Sequence, residues 1–533
     1  MVRGMSVRHS RAKLCVGRFP KGGSARHAFA GRRPNAWVLR SGAGFLVAGG
    51  AVFWTIAAQA RDWIVTPRVS LYESYTSNAS LAPDGQDRSD FFTTLVPSIG
   101  IRGDTARLKL SLDYSLEAIA YAENSDLDQL RNNLNFVSTL TLVPEQLFVD
   151  GAASVQQVPS SGQAPVSASP LAASTNLETV SVYDISPYIK HHFGTFADTE
   201  LRYTFNQVHS SGVSEGFSSA AALGSNQLSS STTNGLTLTA ASGSQFTRLL
   251  WLVVADGANS SFGGTSPDTS SRLLQASGEY RVNRQIGLLG SVGFERISDP
   301  TFFPDPEPDG PIGSVGVKYT PSARSSLILN VNHRYDSNFA TGSANYLIGP
   351  QTQIRAGYTE QVFTSSQLQF SNNLSFLTTD EFGNFIDSRT EQLFSLSSTT
   401  FGVENNAFRQ RSFDIGFHAV RGRNTFDAGA FWQDRRVFQT GELDTAFGGA
   451  LSWSRALTRV ANLNLTIRYA NEQFNGPQFE DNQQLFGLGG SLVYQLNDTL
   501  DGIFAVNFTR QLADIPTDQF TETVLSIGLQ KRF

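Results

Sequence analysis

The chain has 533 residues, of which 11% are aromatic and only 16% are charged, and its formal net charge is −5. Its one cysteine and both methionines lie at or before Cys15, which excludes disulfides and thiol chemistry for the rest of the chain. The acidic balance also excludes nucleic acid as a partner, because binding of phosphates requires a basic face.

The N-terminal segment differs in composition from everything that follows. It carries basic but no acidic residues up to Arg40, then an apolar run over 41–58, and it ends in Ala58-Gln59-Ala60. This order predicts a secretory signal peptide over residues 1–60, cleaved after Ala60. A retained membrane anchor is the alternative, but the run is only marginally long enough to span a bilayer and is rich in glycine. The long basic region leaves open a translation start downstream of Met1.

The predicted mature chain, 61–533, shows the alternation of β-strands. Apolar and polar residues alternate over 107–121, 201–206, 462–469 and 504–509. Because side chains alternate across a strand, each segment predicts a ribbon with one apolar and one polar face. Strands of about ten residues cross a membrane when they are tilted. No repeat at a fixed spacing supports a propeller or a solenoid, and a soluble sandwich does not explain strands of this length with one apolar face.

Short turns alternate with longer polar loops along the chain. Short turns are predicted at 103–106, 144–146, 194–198, 241–245, 283–285, 321–324, 349–351, 421–424, 456–458 and 497–499, and longer loops include 122–129, 157–179, 209–233, 298–310 and 471–484. This count predicts about 22 strands, with a range of 18–22 because the segments near 234–241 and 341–348 are weakly patterned. The predicted fold class is all-β: a single antiparallel transmembrane β-barrel with short periplasmic turns and long extracellular loops.

Three short motifs resemble a known family. They are Val69–Asn78 in the first strand, Tyr183–Tyr188, and the turn Arg421–Asn424. These segments are similar to parts of the porin-like outer-membrane barrels encoded beside exopolysaccharide and exosortase (PEP-CTERM) systems. The resemblance implies a surface role, with an exopolysaccharide or its export components as partners. It brings no catalytic residues and no cofactor.

Charged residues at the polar positions of the predicted strands are candidates for the lining of a lumen. They are Arg68, Lys109, Asp113, Glu117, Arg131, Arg202 and Arg468. In a channel such residues set the selectivity. The alternative is that a wet interior needs polar residues whatever passes through it.

The longest connection, 367–405, carries several phenylalanines. They are Phe370, Phe376, Phe382, Phe385 and Phe394. Loops of this length are usually functional or disordered, and so many aromatic residues argue against simple disorder. We expect this loop to fold inward and to narrow the pore.

The last predicted strand ends in an assembly signal. One face carries Leu525, Ile527, Leu529 and the terminal Phe533. Such an ending resembles the signal by which the barrel-assembly machinery of Gram-negative bacteria recognises its substrates. Lys531 departs from that pattern, which prefers an apolar residue there, although a long basic side chain can reach lipid headgroups. The predicted location is the outer membrane, reached through the periplasm, with outer-membrane lipid as a partner.

Catalytic and metal chemistry find little support in the sequence. The histidines do not form an H-E-x-x-H spacing, and no residue is fixed as a third partner for His209-Ser210 as in a serine hydrolase. The acidic segments 299–310 and 380–387 offer carboxylates to Ca²⁺, but the first, rich in proline, suits a stiff exposed loop better. We therefore expect no enzyme activity, no metal and no cofactor.

Three functions remain open for this predicted barrel. The first is a porin-like channel for passage or export of an exopolysaccharide, the second a general diffusion porin, and the third a non-conducting surface scaffold that anchors polysaccharide or sorted proteins. A TonB-dependent transporter is not expected, because the first strand begins within a few residues of the predicted cleavage site and leaves no room for a plug. Conductance in a bilayer separates a channel from a scaffold.

Overall fold

A computed structural model describes the larger part of the chain. The described residues are 63–159, 165–167, 169–174, 176–211, 230–263, 268–300, 309–334, 337–363, 377–379, 385–387, 392–393, 407–475 and 480–533. The predicted signal peptide lies outside them, and so does most of the loop 367–405. Among the described residues, no helix is long and apolar enough to span a membrane.

Twenty-two strands form one closed sheet. In chain order they are β1 (Trp63–Thr76), β2 (Asp90–Asp104), β3 (Leu108–Tyr121), β4 (Gln129–Val143), β5 (Leu147–Pro159), β6 (Leu177–Phe193), β7 (Ala197–Ser211), β8 (Ser231–Ser242), β9 (Leu249–Phe262), β10 (Thr269–Arg281), β11 (Ile286–Ser298), β12 (Asp309–Ser322), β13 (Ser325–Arg334), β14 (Ser337–Gly349) and β15 (Thr352–Phe363), followed by β19 (Phe408–Arg421), β20 (Asn424–Val437), β21 (Leu443–Ala456), β22 (Ala461–Asn475), β23 (Glu480–Asn497), β24 (Leu500–Ala513) and β25 (Phe520–Arg532). Between β15 and β19, the short strands β16 (Leu377–Thr379), β17 (Phe385–Asp387) and β18 (Gln392–Leu393) form a separate three-stranded sheet.

The strand count confirms the prediction of a 22-stranded antiparallel barrel. The two weakly patterned segments are full strands, β8 and β14. Two single-turn 3-10 helices, Ser125–Leu127 and Pro516–Asp518, lie in the connections after β3 and β24. The predicted turns match the observed ones to within a few residues.

The barrel closes where the first strand meets the last. Strand β1 pairs with β25 in antiparallel register, with Leu71 opposite Leu529 and Tyr75 opposite Leu525. On the inner side of this seam, the Ser74 hydroxyl donates to the Ser526 hydroxyl at 2.8 Å. The ladder is therefore continuous around the sheet, and no strand edge is left unpaired.

The short connections and both ends of the barrel chain lie at one rim, which we call the inner rim. Its turns are 105–107, 144–146, 194–196, 243–248, 282–285, 323–324, 350–351, 422–423, 457–460 and 498–499. In the two-residue turn after β19, Gly422 has a φ of +62°, a conformation that L-residues with a side chain rarely adopt. The long connections lie at the opposite, outer rim. Short turns on the periplasmic side and long loops outside are typical of bacterial barrels.

The outer surface of the barrel is apolar. Large hydrophobic side chains such as Leu71, Phe504 and Ile527 are exposed on the outward face, and Ile527 keeps 65% of its surface accessible. Water-soluble proteins seldom expose a continuous belt of this kind. In lipid every backbone polar group must be satisfied internally, and a closed barrel meets that requirement. The chain is an outer-membrane β-barrel.

Candidate functional site in the barrel lumen

The lumen is lined by every second residue of each strand. On β6, Tyr183, Ile185 and Ile189 are exposed on the outer surface, whereas Ser186 and Tyr188 between them are buried inside. The inward residues are mainly hydroxyl, amide and charged side chains. The candidate functional site is therefore the inner wall together with the residues that pack against it.

The seven predicted lumen residues all occupy barrel strands at positions opposite to the exposed apolar ones. Near the inner rim, Arg102 pairs with Asp113 at 2.6 Å and Lys109 lies 3.8 Å from Asp104, all four largely exposed. Arg68 is in register with Arg532 across the seam. The two ion pairs, Arg102–Asp113 and Lys109–Asp104, are weak because water screens them. The influence of Arg68, Lys109 and Asp113 on selectivity stays a prediction.

The other four predicted residues have more specific surroundings. Glu117 accepts a hydrogen bond of 3.0 Å from the Asn133 amide. Arg468 lies beside Gly487 on the neighbouring strand. Arg131 and Arg202 each lie within a cluster of contacts on the described wall.

Arg202 belongs to what we call the aromatic–arginine cluster on β5, β6 and β7. Its members are Phe148, Asp150, Tyr188, Lys190, Glu200 and Arg202. The Phe148 and Tyr188 rings are stacked with centroids 5.1 Å apart, and the Arg202 guanidinium lies 3.8 Å from the Tyr188 centroid. Tyr188 is thus held between a ring and a cation. The three side chains are cross-strand neighbours, since Tyr188 is in register with both Phe148 and Arg202.

Ion pairs complete the aromatic–arginine cluster. Arg202 donates to Asp150 at 2.9 Å and to Glu200 at 2.8 Å, and Lys190 lies 3.7 Å from Glu200. The Lys190 ammonium is also 5.2 Å from the Tyr188 centroid. Two cations and two carboxylates balance. The cluster therefore presents the partly accessible Phe148 ring and charged groups without net charge, while Tyr188 is buried between its neighbours. Only Arg202 of this cluster was identified from the sequence.

Arg131 belongs to the second cluster, in which a piece of an outer loop contacts the inner wall. We call residues 165–167 and 169–174 the inward segment. Arg131 donates to the Ala172 carbonyl at 2.8 Å and to the Pro170 carbonyl at 3.3 Å, and is itself buried. The Tyr121 hydroxyl accepts a bond of 3.0 Å from the Ala173 amide.

Apolar packing and a carboxylate also hold the inward segment. Ala172 and Ala173 are buried against Phe92, Ile119 and Val524, which project from β2, β3 and β25. Ser167 donates to Glu522 of β25 at 2.7 Å. Thr76 of β1 donates to the same carboxylate at 3.1 Å. The segment therefore crosses the β1–β25 seam on the lumenal side.

The contacts of the inward segment differ from the prediction for this outer loop. The sequence predicts 157–179 only as a long polar connection, yet its described residues contact the lumenal wall. The expected inward folding of 367–405 falls mostly on residues outside the described part of the chain, so it stays a prediction.

The two halves of the lumen differ in accessibility. Toward the outer rim, inward side chains such as Thr94, Val180 and Ala446 are completely buried. Toward the inner rim, Lys109 and Asp104 are largely open to solvent. The described wall is therefore wet at its periplasmic end and packed at its outer end.

The packed half also contains a buried ion pair. Arg435 of β20 lies 3.1 Å from Asp444 of β21, and each side chain is only 8% accessible. Phe431, Ala446 and Phe474 form an apolar group on the same wall. Both charges of a buried pair have lost their water, so the pair is favourable only when the two groups are well placed for each other.

A shallow recess indents the wet half of the wall. It has a volume of about 360 Å³ and lies on β9 to β13. Its polar lining includes Gln275, Asn330 and Asn332, and Leu252 and Leu289 supply apolar surface. The volume is at the lower end of the range for small-ligand pockets.

The catalytic and metal candidates find no completed site in the described residues. His209 contacts Ser230 at 3.0 Å rather than its chain neighbour Ser210, and no described carboxylate joins the two as a third member. No group of three or more metal-binding side chains occurs within the described ranges. Most of the acidic segments 299–310 and 380–387 lies outside those ranges.

Comparisons with known proteins give a fold likeness only. No protein-family model matches the chain, and none of the curated proteins matches it. The chain is similar to the siderophore receptor PirA from Acinetobacter baumannii, with 9% identity over 88% of this chain and 80% of that one and a TM-score of 0.49. It is also similar to the ferric-catecholate import receptor Fiu from E. coli K12, with 10% identity over 87% and 81% and a TM-score of 0.47. Likenesses this distant support no inference about a transported ligand.

Proposed function

We propose that this barrel is a porin-like channel for the passage of an exopolysaccharide. The observation that carries the proposal is the aromatic–arginine cluster on the lumenal wall. Sugar rings combine apolar C–H faces with hydroxyl groups. Aromatic faces suit the former, while guanidinium and carboxylate groups bind the latter with charge-assisted hydrogen bonds.

The charge of the aromatic–arginine cluster also fits a hydroxylated polymer. Arg202 and Lys190 are compensated by Asp150 and Glu200. A site built for a multivalent anion would instead carry an excess of cations. The side chains are partly accessible, with 27% for Arg202 and 42% for Lys190, so a ligand can reach them from the wet half of the lumen.

Planar bilayers test the proposal directly. Refolded mature protein is expected to conduct, and a neutral dextran oligosaccharide added on the inner-rim side is expected to interrupt the current. The double variant Phe148→Ala/Arg202→Gln should conduct but lose most of the block, because the ring and the donor are gone. The matched control is Tyr203→Phe, an aromatic residue of β7 on the lipid face.

Each outcome of this experiment separates two functions. Current that oligosaccharide never blocks supports a general diffusion porin and contradicts the proposal. Block that persists in the double variant contradicts the assignment to the aromatic–arginine cluster.

A non-conducting surface scaffold is the second candidate, and one observation favours it. The inward segment and the buried side chains around it fill part of the outer half of the lumen. If the fully inserted barrel never conducts under any voltage or pH, the scaffold is supported and the channel proposal fails.

A further inference from the structure

Arginines are concentrated in the turns of the inner rim. Six of these turns carry one, namely Arg107, Arg248, Arg284, Arg324, Arg423 and Arg459. The inner-rim turns contain two acidic residues, Glu145 and Asp498, and both lie in turns without an arginine. We call the six arginines the basic collar. It encircles most of the rim, because the six turns lie between β2 and β3 and at intervals from β8 to β22.

The collar arginines are available to a ligand. All six are exposed, and within the described chain none lies within ion-pair distance of a carboxylate. Arg423 donates only a long bond of 3.4 Å to the Leu457 carbonyl. Elsewhere in the described wall, several arginines form ion pairs with acids, as Arg102 and Arg202 do. The collar is therefore a ring of uncompensated positive charge.

Apolar residues flank these arginines within the same turns. Leu457 and Val460 on either side of Arg459 are 41% and 38% accessible. Val282, just before Arg284, is 51% accessible. In these two turns, exposed apolar side chains therefore lie beside the arginine, an arrangement that suits contact with the headgroup and acyl boundary of a membrane.

Four exposed tyrosines indicate the depth of the collar in the membrane. Tyr280, Tyr319, Tyr346 and Tyr494 are exposed on the outer surface, each a few residues from an inner-rim turn. Aromatic girdles mark the level of the membrane interface in outer-membrane barrels. The turns follow these tyrosines toward the periplasm, so the collar lies at the depth of the phosphate groups.

We propose that the basic collar binds the phosphate groups of anionic phospholipids in the inner leaflet. The ligand class is a glycerophospholipid with a net negative headgroup, such as phosphatidylglycerol. An acidic periplasmic protein would also be attracted by the charge, but the flanking apolar side chains and the tyrosine level favour lipid. This inference does not depend on what passes through the lumen.

Lipid competition measured by tryptophan quenching tests the proposal. Trp251 and Trp453 lie near the inner rim and report on lipids that contact it. The refolded barrel is placed in phosphatidylcholine vesicles containing brominated phosphatidylglycerol or brominated phosphatidylcholine. The wild-type barrel should prefer the anionic lipid about fivefold at each site, and 1 M NaCl should reduce the preference.

Substitution of the collar separates site binding from general charge attraction. The variant with all six arginines changed to Gln should lose the preference, with a ratio near one. The control changes Arg88, Arg272 and Arg510, which are exposed toward the outer rim, to Gln and should keep the preference; it removes the same charge as the triple collar variant described next. If the six-fold variant does not assemble, Arg284→Gln/Arg324→Gln/Arg459→Gln is used and should lose about half the quenching difference. Equal ratios for wild type and collar variants, or an equal loss in the control, would overturn the proposal.

Discussion

Replacement of Arg131 by Gln is expected to loosen the inward segment. The guanidinium is buried between β4 and this segment and bonds the carbonyls of Pro170 and Ala172. Glutamine keeps a polar group at the position, but it is shorter and uncharged and cannot reach both carbonyls. The remaining contacts, Ser167 to Glu522 and the Ala173 amide to Tyr121, stay in place.

The expected magnitude follows from these two bonds. A hydrogen bond from a charged donor contributes about 1.5–3 kcal/mol, and the bond to Pro170, at 3.3 Å, is the weaker of the two. Their loss should favour opening of the segment by about 2–4 kcal/mol. The open population should then rise roughly 30- to 700-fold.

Hydrogen exchange measures that population. The Ala173 amide is bonded to Tyr121 only while the segment is seated, so its exchange rate should rise by the same factor. Bilayer conductance is a second readout, and it should increase if the segment narrows the path. Arg202→Gln is the control, because it makes the same change of charge elsewhere on the wall. Exchange at Ala173 that stays within about twofold of wild type would refute the reasoning.

Three further predictions concern stability and assembly. Gly528→Ala should destabilise the seam by about 1–3 kcal/mol and lower the thermal midpoint, because the new Cβ would lie 2.3 Å from the Tyr72 ring on β1. Gly416→Ala is the control: its Cβ would meet open space, and it should leave the thermal midpoint unchanged. Asp444→Asn should cost up to about 3–5 kcal/mol in urea unfolding, because it removes the carboxylate that pairs with the buried Arg435. Asp113→Asn, in an exposed pair, should cost less than about 1 kcal/mol; similar losses would contradict this ranking. Phe533→Ala should lower the fraction of heat-modifiable barrel in cell envelopes while changing the stability of the refolded barrel by less than about 0.5 kcal/mol, and normal assembly would argue against the insertion signal.

The barrel itself could be predicted because its information is local. In β3, apolar and polar residues alternate from Leu108 to Leu116, which indicates one face toward lipid and one toward water. Each turn adds one hairpin, so the number of strands follows from counting. The weakly patterned β8 and β14 form because their neighbours on both sides supply the missing half of the ladder.

The inward segment could not be predicted, because nothing in its own residues indicates its partners. It is a run of small side chains and prolines that suits an exposed loop equally well. Its anchors come from distant strands, and Ser167 and Glu522 are separated by 355 positions in the chain. Only the closed barrel brings them together.

The aromatic–arginine cluster is an intermediate case. Phe148, Tyr188 and Arg202 each occupy an inward position that strand alternation could have identified. Their alignment depends on the register of three strands, which is set by hydrogen bonding and by turn length. The signal for this cluster in the sequence is an aromatic residue at an inward position of a predicted barrel strand.

The seam between β1 and β25 has a consequence for how the barrel is made. Its hydrogen bonds join residues such as Ser74 and Ser526, which are 452 positions apart. Synthesis and export deliver the first edge long before the last strand exists, and an open edge is not tolerated in lipid. A growing sheet of this sequence must therefore be shielded until its final thirteen-residue strand arrives. The terminal strand closes the barrel by pairing with both β1 and β24. A truncation that removes it leaves two unpaired edges rather than a slightly smaller pore.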